Sequence, residues 1–110
     1  MDLTKRKCVP CGGGVSPLSR NQISELQKQI SPEWKLSEDK NIPKIRKTFK
    51  FRDFKEAMVF VNKVANLAES EGHHPNIFVY YNKVELELYT HAIKGLHEND
   101  FVLAAKIDSL

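Results

Sequence analysis

The stretch from Asp53 to Gly72 constrains the fold of this chain more than any other. Phe54, Ala57, Met58, Val61, Val64, Ala65 and Ala68 recur at helical spacing on one face, which predicts a long amphipathic helix with a buried stripe. Both ends are marked. Asp53 with Glu56 has capping-box spacing, Gly72 suits the left-handed residue that closes a helix, and Pro75 prevents the helix from resuming. Val59, Phe60 and Leu67 fall off the stripe. They are more apolar surface than a monomer of this size needs to expose, and they predict a self-association face on this helix.

On either side of the helix the apolar pattern changes to period two. Upstream, Trp34 and Leu36 alternate, then Ile45, with Lys47, Phe49 and Phe51 less regular, and Asp39, Lys40 and Asn41 supply a turn between two strands. Downstream, residues 77–81 and 84–90 are β-rich runs separated by Asn82-Lys83, a hairpin signal. Val84, Leu86 and Leu88 share one face of the second run, with Glu85, Glu87 and Tyr89 on the other. If strand geometry continues, His91 points away from the core. Two more helices complete the pattern. Ser19 with Gln22 opens one that carries Ile23, Leu26 and Ile30 and ends at Pro32. After Gly95 the other carries Phe101, Leu103, Ala104, Ala105 and Ile107, with His97 at the N-cap and Asp100 three residues in. The expected fold is α+β, a four-stranded antiparallel sheet with three helices packed on one face, in the order α-β-β-α-β-β-α.

A chain of 110 residues suits one domain. Residues 19–110 form that domain, and residues 1–18, with three consecutive glycines and two prolines, read as a flexible N-terminal lead-in. A hydrophobic content of 41% with 28% charged residues argues against disorder, and a net charge of +3 with bases interspersed among acids does not suggest nucleic-acid binding. No stretch approaches the ~20 apolar residues of a membrane span, and no secretory signal core is present, so a soluble, cytoplasmic protein is expected. Cys8 and Cys11 form a Cys-x-x-Cys that is half of a four-ligand zinc site and lies outside a strand-to-helix redox context. A metal or redox role for the pair stands beside a tail with no chemistry of its own.

The run Glu69-Ser70-Glu71-Gly72-His73-His74-Pro75 places two of the four histidines side by side where the long helix meets a strand. Imidazole titrates near neutrality, so this junction is a candidate proton-transfer site. The second hairpin turns the chain back and lets His91 converge on the pair. Two other readings stand alongside. The histidines can be polar capping and loop residues, with Asp100 capping the last helix. Alternatively His73, His74 and His91, with Glu69 or Asp100, can ligate a metal, although adjacent histidines on a short turn seldom reach one centre without strain.

The joint pattern resembles the pterin-4a-carbinolamine dehydratases. The resembling residues are Glu69 to Pro75, Tyr81-Asn82-Lys83-Val84, Thr90-His91, Gly95-Leu96 and Asp100. Upstream they are Trp34, the run Phe49 to Phe54, Ala57, Phe60, Val64-Ala65 and Ala68-Glu69. The resemblance covers residues 19–110. It implies a hydro-lyase that eliminates water from a 4a-hydroxytetrahydropterin to give the quinonoid dihydropterin, without a cofactor or metal. It places the catalytic histidines on His73, His74 and His91, and substrate contacts on Glu69, Gly72, Tyr89, Thr90, Trp34 and Asp100. It also implies tetrahydropterin recycling beside an aromatic amino acid hydroxylase, and a homodimer or homotetramer. Some members of the family instead stabilise dimers of a transcription factor, so a protein-binding module on the same fold is the alternative. Gly72 departs from the aspartate or asparagine often found there, and His97 from a serine or threonine cap.

Overall fold

A computed structural model describes residues 2–9 and 15–110 of the chain. After a 3-10 turn at Leu3–Lys5 come α1 (Arg20–Gln27), β1 (Lys35–Asp39), β2 (Ile42–Lys50), α2 (Phe54–Glu71), β3 (Asn76–Tyr80), β4 (Lys83–Leu88), a second 3-10 turn (His91–Ile93) and α3 (Glu98–Asp108). The fold is the α+β arrangement in the expected order. All strand pairs are antiparallel, in the spatial order β1-β2-β4-β3, so β3 is an edge.

The hairpins follow from local backbone chemistry. Lys40 and Asn41 both adopt positive φ, 52° and 67°, the geometry of a two-residue turn whose twist matches that of the flanking strands. The second hairpin turns at Tyr81-Asn82, one residue earlier than expected, with Tyr81 at φ 53° and β4 beginning at Lys83. β4 also ends at Leu88 rather than at residue 90, because Thr90 leaves the strand to pair with Gly95 in an isolated bridge. His91 therefore sits in a 3-10 turn, not in a strand.

Val84, Leu86 and Leu88 are fully buried on the helix-facing side of β4, opposite Phe49, Lys47 and Ile45 of β2. They meet Phe101, Leu103, Ala104 and Ile107 of α3 and Val64 of α2. The buried positions of α2 are Ala57, Val64 and Ala68. Phe60 and Leu67 pack on the same core, Phe60 with its ring 4.6 Å from Phe49 and 5.1 Å from Phe51. The helix is thus rotated from the expected stripe. Phe54 and Ala65 lie on its exposed side, and of the three off-stripe residues Val59 is freely exposed while Phe60 and Leu67 are partly buried. A ring trio collected from β2 and its flank pulls Phe60 inward, and a helical wheel carries no information about that partner.

The lead-in also departs from expectation where it is described. Leu3 is 2% exposed and belongs to the core, and the first turn packs against α3. The three glycines and Cys11 lie outside the described residues.

Candidate active site

Three chain segments meet where α2 ends. Gly72 adopts φ +67°, and the amides of Gly72 and His73 return to the carbonyls of Glu69 and Ala68, a Schellman closure. Left-handed geometry there admits Gly, Asn or Asp at low cost, which accounts for glycine at a position where the family often has the other two. This sharp exit turns His73 towards the start of α3.

Asp100 receives it. His73 Nε2 lies 2.6 Å from Asp100 Oδ1, while Asp100 Oδ2 accepts the Thr90 hydroxyl at 2.9 Å and the His97 amide at 3.0 Å. Asp100 is fully buried, and its carboxylate serves both the ring of His73 and the reciprocal cap in which His97 Nδ1 accepts the Asn99 amide at 3.0 Å. An acceptor-only carboxylate assigns the proton to His73 Nε2 and leaves Nδ1 as the ring atom able to exchange a proton with a ligand. His97 is a working cap despite being an unusual one.

His74 and His91 stand at the rim. His74 Nε2 is 2.6 Å from Glu69 Oε1 on the preceding helical turn, with both side chains more than half exposed. His91 Nδ1 has a long contact of 3.4 Å with the Tyr89 hydroxyl, and the Tyr89 ring lies 4.4 Å from Lys44 Nζ. The cleft between these groups has a volume of about 600 Å³. Glu69, Gly72, His73, His74, Tyr89, Thr90 and His91 all line it, so seven of the nine candidate residues are brought together.

The other two are placed elsewhere. Trp34 is 2% exposed in the core, its Nε1 donating to Asp108 Oδ2 at 2.9 Å beside Lys47, which reaches Asp108 Oδ1 at 2.7 Å. It forms no wall of the cleft, because Asp108 at the far end of α3 claims its indole N–H. Asp100 lies behind His73 with no surface of its own, and so acts on the histidine and not on a ligand. Among the described residues no group of three or more His, Cys, Asp or Glu side chains is arranged to hold a metal.

Cys8, Val9, Ser70, Glu71 and Asn99 also line the cleft, and sequence reading missed them as a set. Glu71 and Asn99 neighbour the singled-out residues, but nothing in a glycine-rich lead-in signals that Cys8 and Val9 return to this place. Hydrogen bonds from Lys106 and from the Cys8 amide hold the Glu71 carboxyl below its usual range. Burial, and then the Glu71 charge, push the Cys8 thiol up to about 12, so it carries little thiolate near neutrality. That disfavours a redox role for Cys8; its partner Cys11 lies outside the described residues.

The family model for pterin 4 alpha carbinolamine dehydratase matches residues 16–110. A protein of Halorhodospira halophila, provisionally named pterin-4-alpha-carbinolamine dehydratase, is 50% identical over 110 residues, all of this chain and 98% of that one. The crystal structure of a transcriptional coactivator/pterin dehydratase from Brucella melitensis superposes with a TM-score of 0.75 at 31% identity, over 86% of this chain and 97% of the other. A pterin dehydratase-like protein identified as a RuBisCO assembly factor in the alpha-carboxysome superposes with a TM-score of 0.59 at 26% identity, over 70% of this chain and 87% of its own.

Proposed function

The chain belongs to the pterin 4 alpha carbinolamine dehydratase family of hydro-lyases, and we propose that its cleft eliminates water from a 4a-hydroxytetrahydropterin to give the quinonoid dihydropterin. The observation that carries this reading is His73 on the cleft wall with Asp100 behind it, and His74 and His91 at the rim. The reaction breaks the C4a–O bond, protonates the departing hydroxyl and removes a proton from a ring nitrogen. Positioned imidazoles suit both transfers, and such assistance contributes ~10²–10⁴-fold per group.

Within this proposal His73 exchanges its proton at Nδ1, while Asp100 offsets the charge the ring gains. His74 and His91 supply the second transfer and orient the pterin, with Tyr89, Thr90, Gly72 and Glu69 around them. The step needs no cofactor. The physiological setting proposed is recycling of a reduced pterin after aromatic amino acid hydroxylation. Following carbinolamine decay with purified chain tests the reading: His73→Ala is expected to lower kcat by about 10²-fold or more, and an unchanged rate would overturn it.

A second reading, a protein-binding module, is favoured by the edge of the sheet. Phe78, Val79, Tyr80 and Tyr81 on and beside β3 are all exposed, between 36% and 67%. An exposed apolar edge strand is a template for pairing, so homo-oligomer formation through β3 is proposed beside the α2 face. The coactivator and assembly-factor descriptions of the two solved relatives keep a heterologous partner in view.

A further inference from the structure

Cys8 and Val9 of the lead-in form one wall of the cleft, held by two tethers that flank the His73–Asp100 pair. At the first, Glu71 Oε1 accepts the Cys8 amide at 2.9 Å while Glu71 Oε2 accepts Lys106 at 2.7 Å. At the second, Asn99, only 3% exposed, grips Val9 twice: Oδ1 accepts its amide at 3.0 Å, and Nδ2 donates to its carbonyl at 2.7 Å. The Cys8 thiol lies 3.6 Å from the Asn99 carbonyl, and Arg6 pairs with Glu98 on the first turn of α3. Glu71 stands two residues before His73, and Asn99 one before Asp100. The element ends that hold the proposed proton-transfer pair therefore also hold the wall.

The tethers engage both backbone polar groups of Val9. With the Cys8 amide and both backbone groups of Val9 engaged by protein, what Val9 offers the cleft is its isopropyl group, and the residue is 55% exposed. A pterin has one edge rich in donors and acceptors, the aminopyrimidinone, and a carbon substituent at C6. An apolar side chain leaves the first edge unpaired and suits the second. Resting on the reading of the cleft as a 4a-hydroxytetrahydropterin site, we propose that Val9 is the specificity-determining contact for the C6 substituent, and that Asn99 is the positioning residue that holds Val9 there.

Steady-state kinetics on full-length Val9→Asp and Asn99→Ala test this with substrates bearing a methyl or a 1,2-dihydroxypropyl group at C6. Val9→Asp changes an exposed side chain and should fold normally. It is expected to raise KM for the 6-methyl substrate by about tenfold, and less for the hydroxylated one, with kcat within about twofold. Asn99→Ala is expected to raise KM for both while leaving the pH profile of kcat in place, and amide exchange at Val9 should lose protection in Asn99→Ala but not in Val9→Asp. An unchanged KM ratio in Val9→Asp, or a loss of kcat at constant KM, overturns the inference while the dehydratase reading stands. A wild-type chain that does not accelerate dehydration overturns both.

Discussion

Asp100 has three donors directed at it and no exposed surface, so its chemistry is set by what surrounds it. Asn in its place cannot accept from all three donors, and one of them is left buried without a partner, at a cost of ~1–3 kcal/mol. Asp100→Asn is therefore expected to lower the melting temperature and to reduce kcat by about tenfold or more, since His73 loses the anion behind its ring. Thermal denaturation and carbinolamine decay on one preparation check both. Cys8 makes a second prediction at this scale. With its thiol pushed up to about 12 by burial and by Glu71, alkylation at pH 8 should be at least ~tenfold slower in the folded chain than in denaturant, read from the mass of the Cys8 peptide. Trp34 shows why residue type and position alone mislead. An aromatic side chain in the expected place satisfies its N–H at Asp108, a partner 74 residues away, and is withdrawn into the core.

Helix ends do much of the positioning. The exit of α2 depends on Gly72 at φ +67°, with no heavy atom within 4 Å of where a Cβ would stand. The cost of a side chain there is thus backbone strain and not collision, so Gly72→Ala should destabilise by ~1–2 kcal/mol, with Gly72→Asn closer to wild type. Chemical denaturation measures it. The start of α3 was legible because Asp100 at capping spacing from His97 is local information, and so were Ser19 with Gln22, which forms the full box, and Asp53 with Glu56, where Asp53 accepts the Glu56 amide but Glu56 Oε1 takes the Arg52 amide. The rotation of α2 was not legible, since Phe60 is drawn inward by Phe49 and Phe51, which reach it from β2 and the residue that follows it. At the opposite edge, Val79→Lys should shift any homo-oligomer towards monomer in sedimentation, by placing a charge on the apolar β3 edge.

At the scale of the whole molecule, two carboxylates tie separate elements together. Glu71 links α2 to α3 and the lead-in. Glu87, on the helix-free side of the sheet, is pushed up by burial but brought below its usual range overall by the Asn76 amide and the Arg46 and Lys44 cations. A carboxyl lowered by folding contributes stability that is present above its unfolded value, 4.5, and is lost as pH falls through the folded value. The melting temperature should therefore hold from neutrality down to about pH 5 and then drop, less steeply in Glu71→Gln, as scanning calorimetry at several pH values would show. The sequence by itself determined the order of elements, the buried face of β4, the caps and the histidine junction, because periodicity and capping are relations among residues near in the chain. Only the tertiary structure decided that Asp100 stands behind His73, that Trp34 turns inward, and that Cys8 and Val9 close the cleft. Those relations join residues 27 to 91 positions apart through one or two hydrogen bonds each, for which a linear pattern has no period to display.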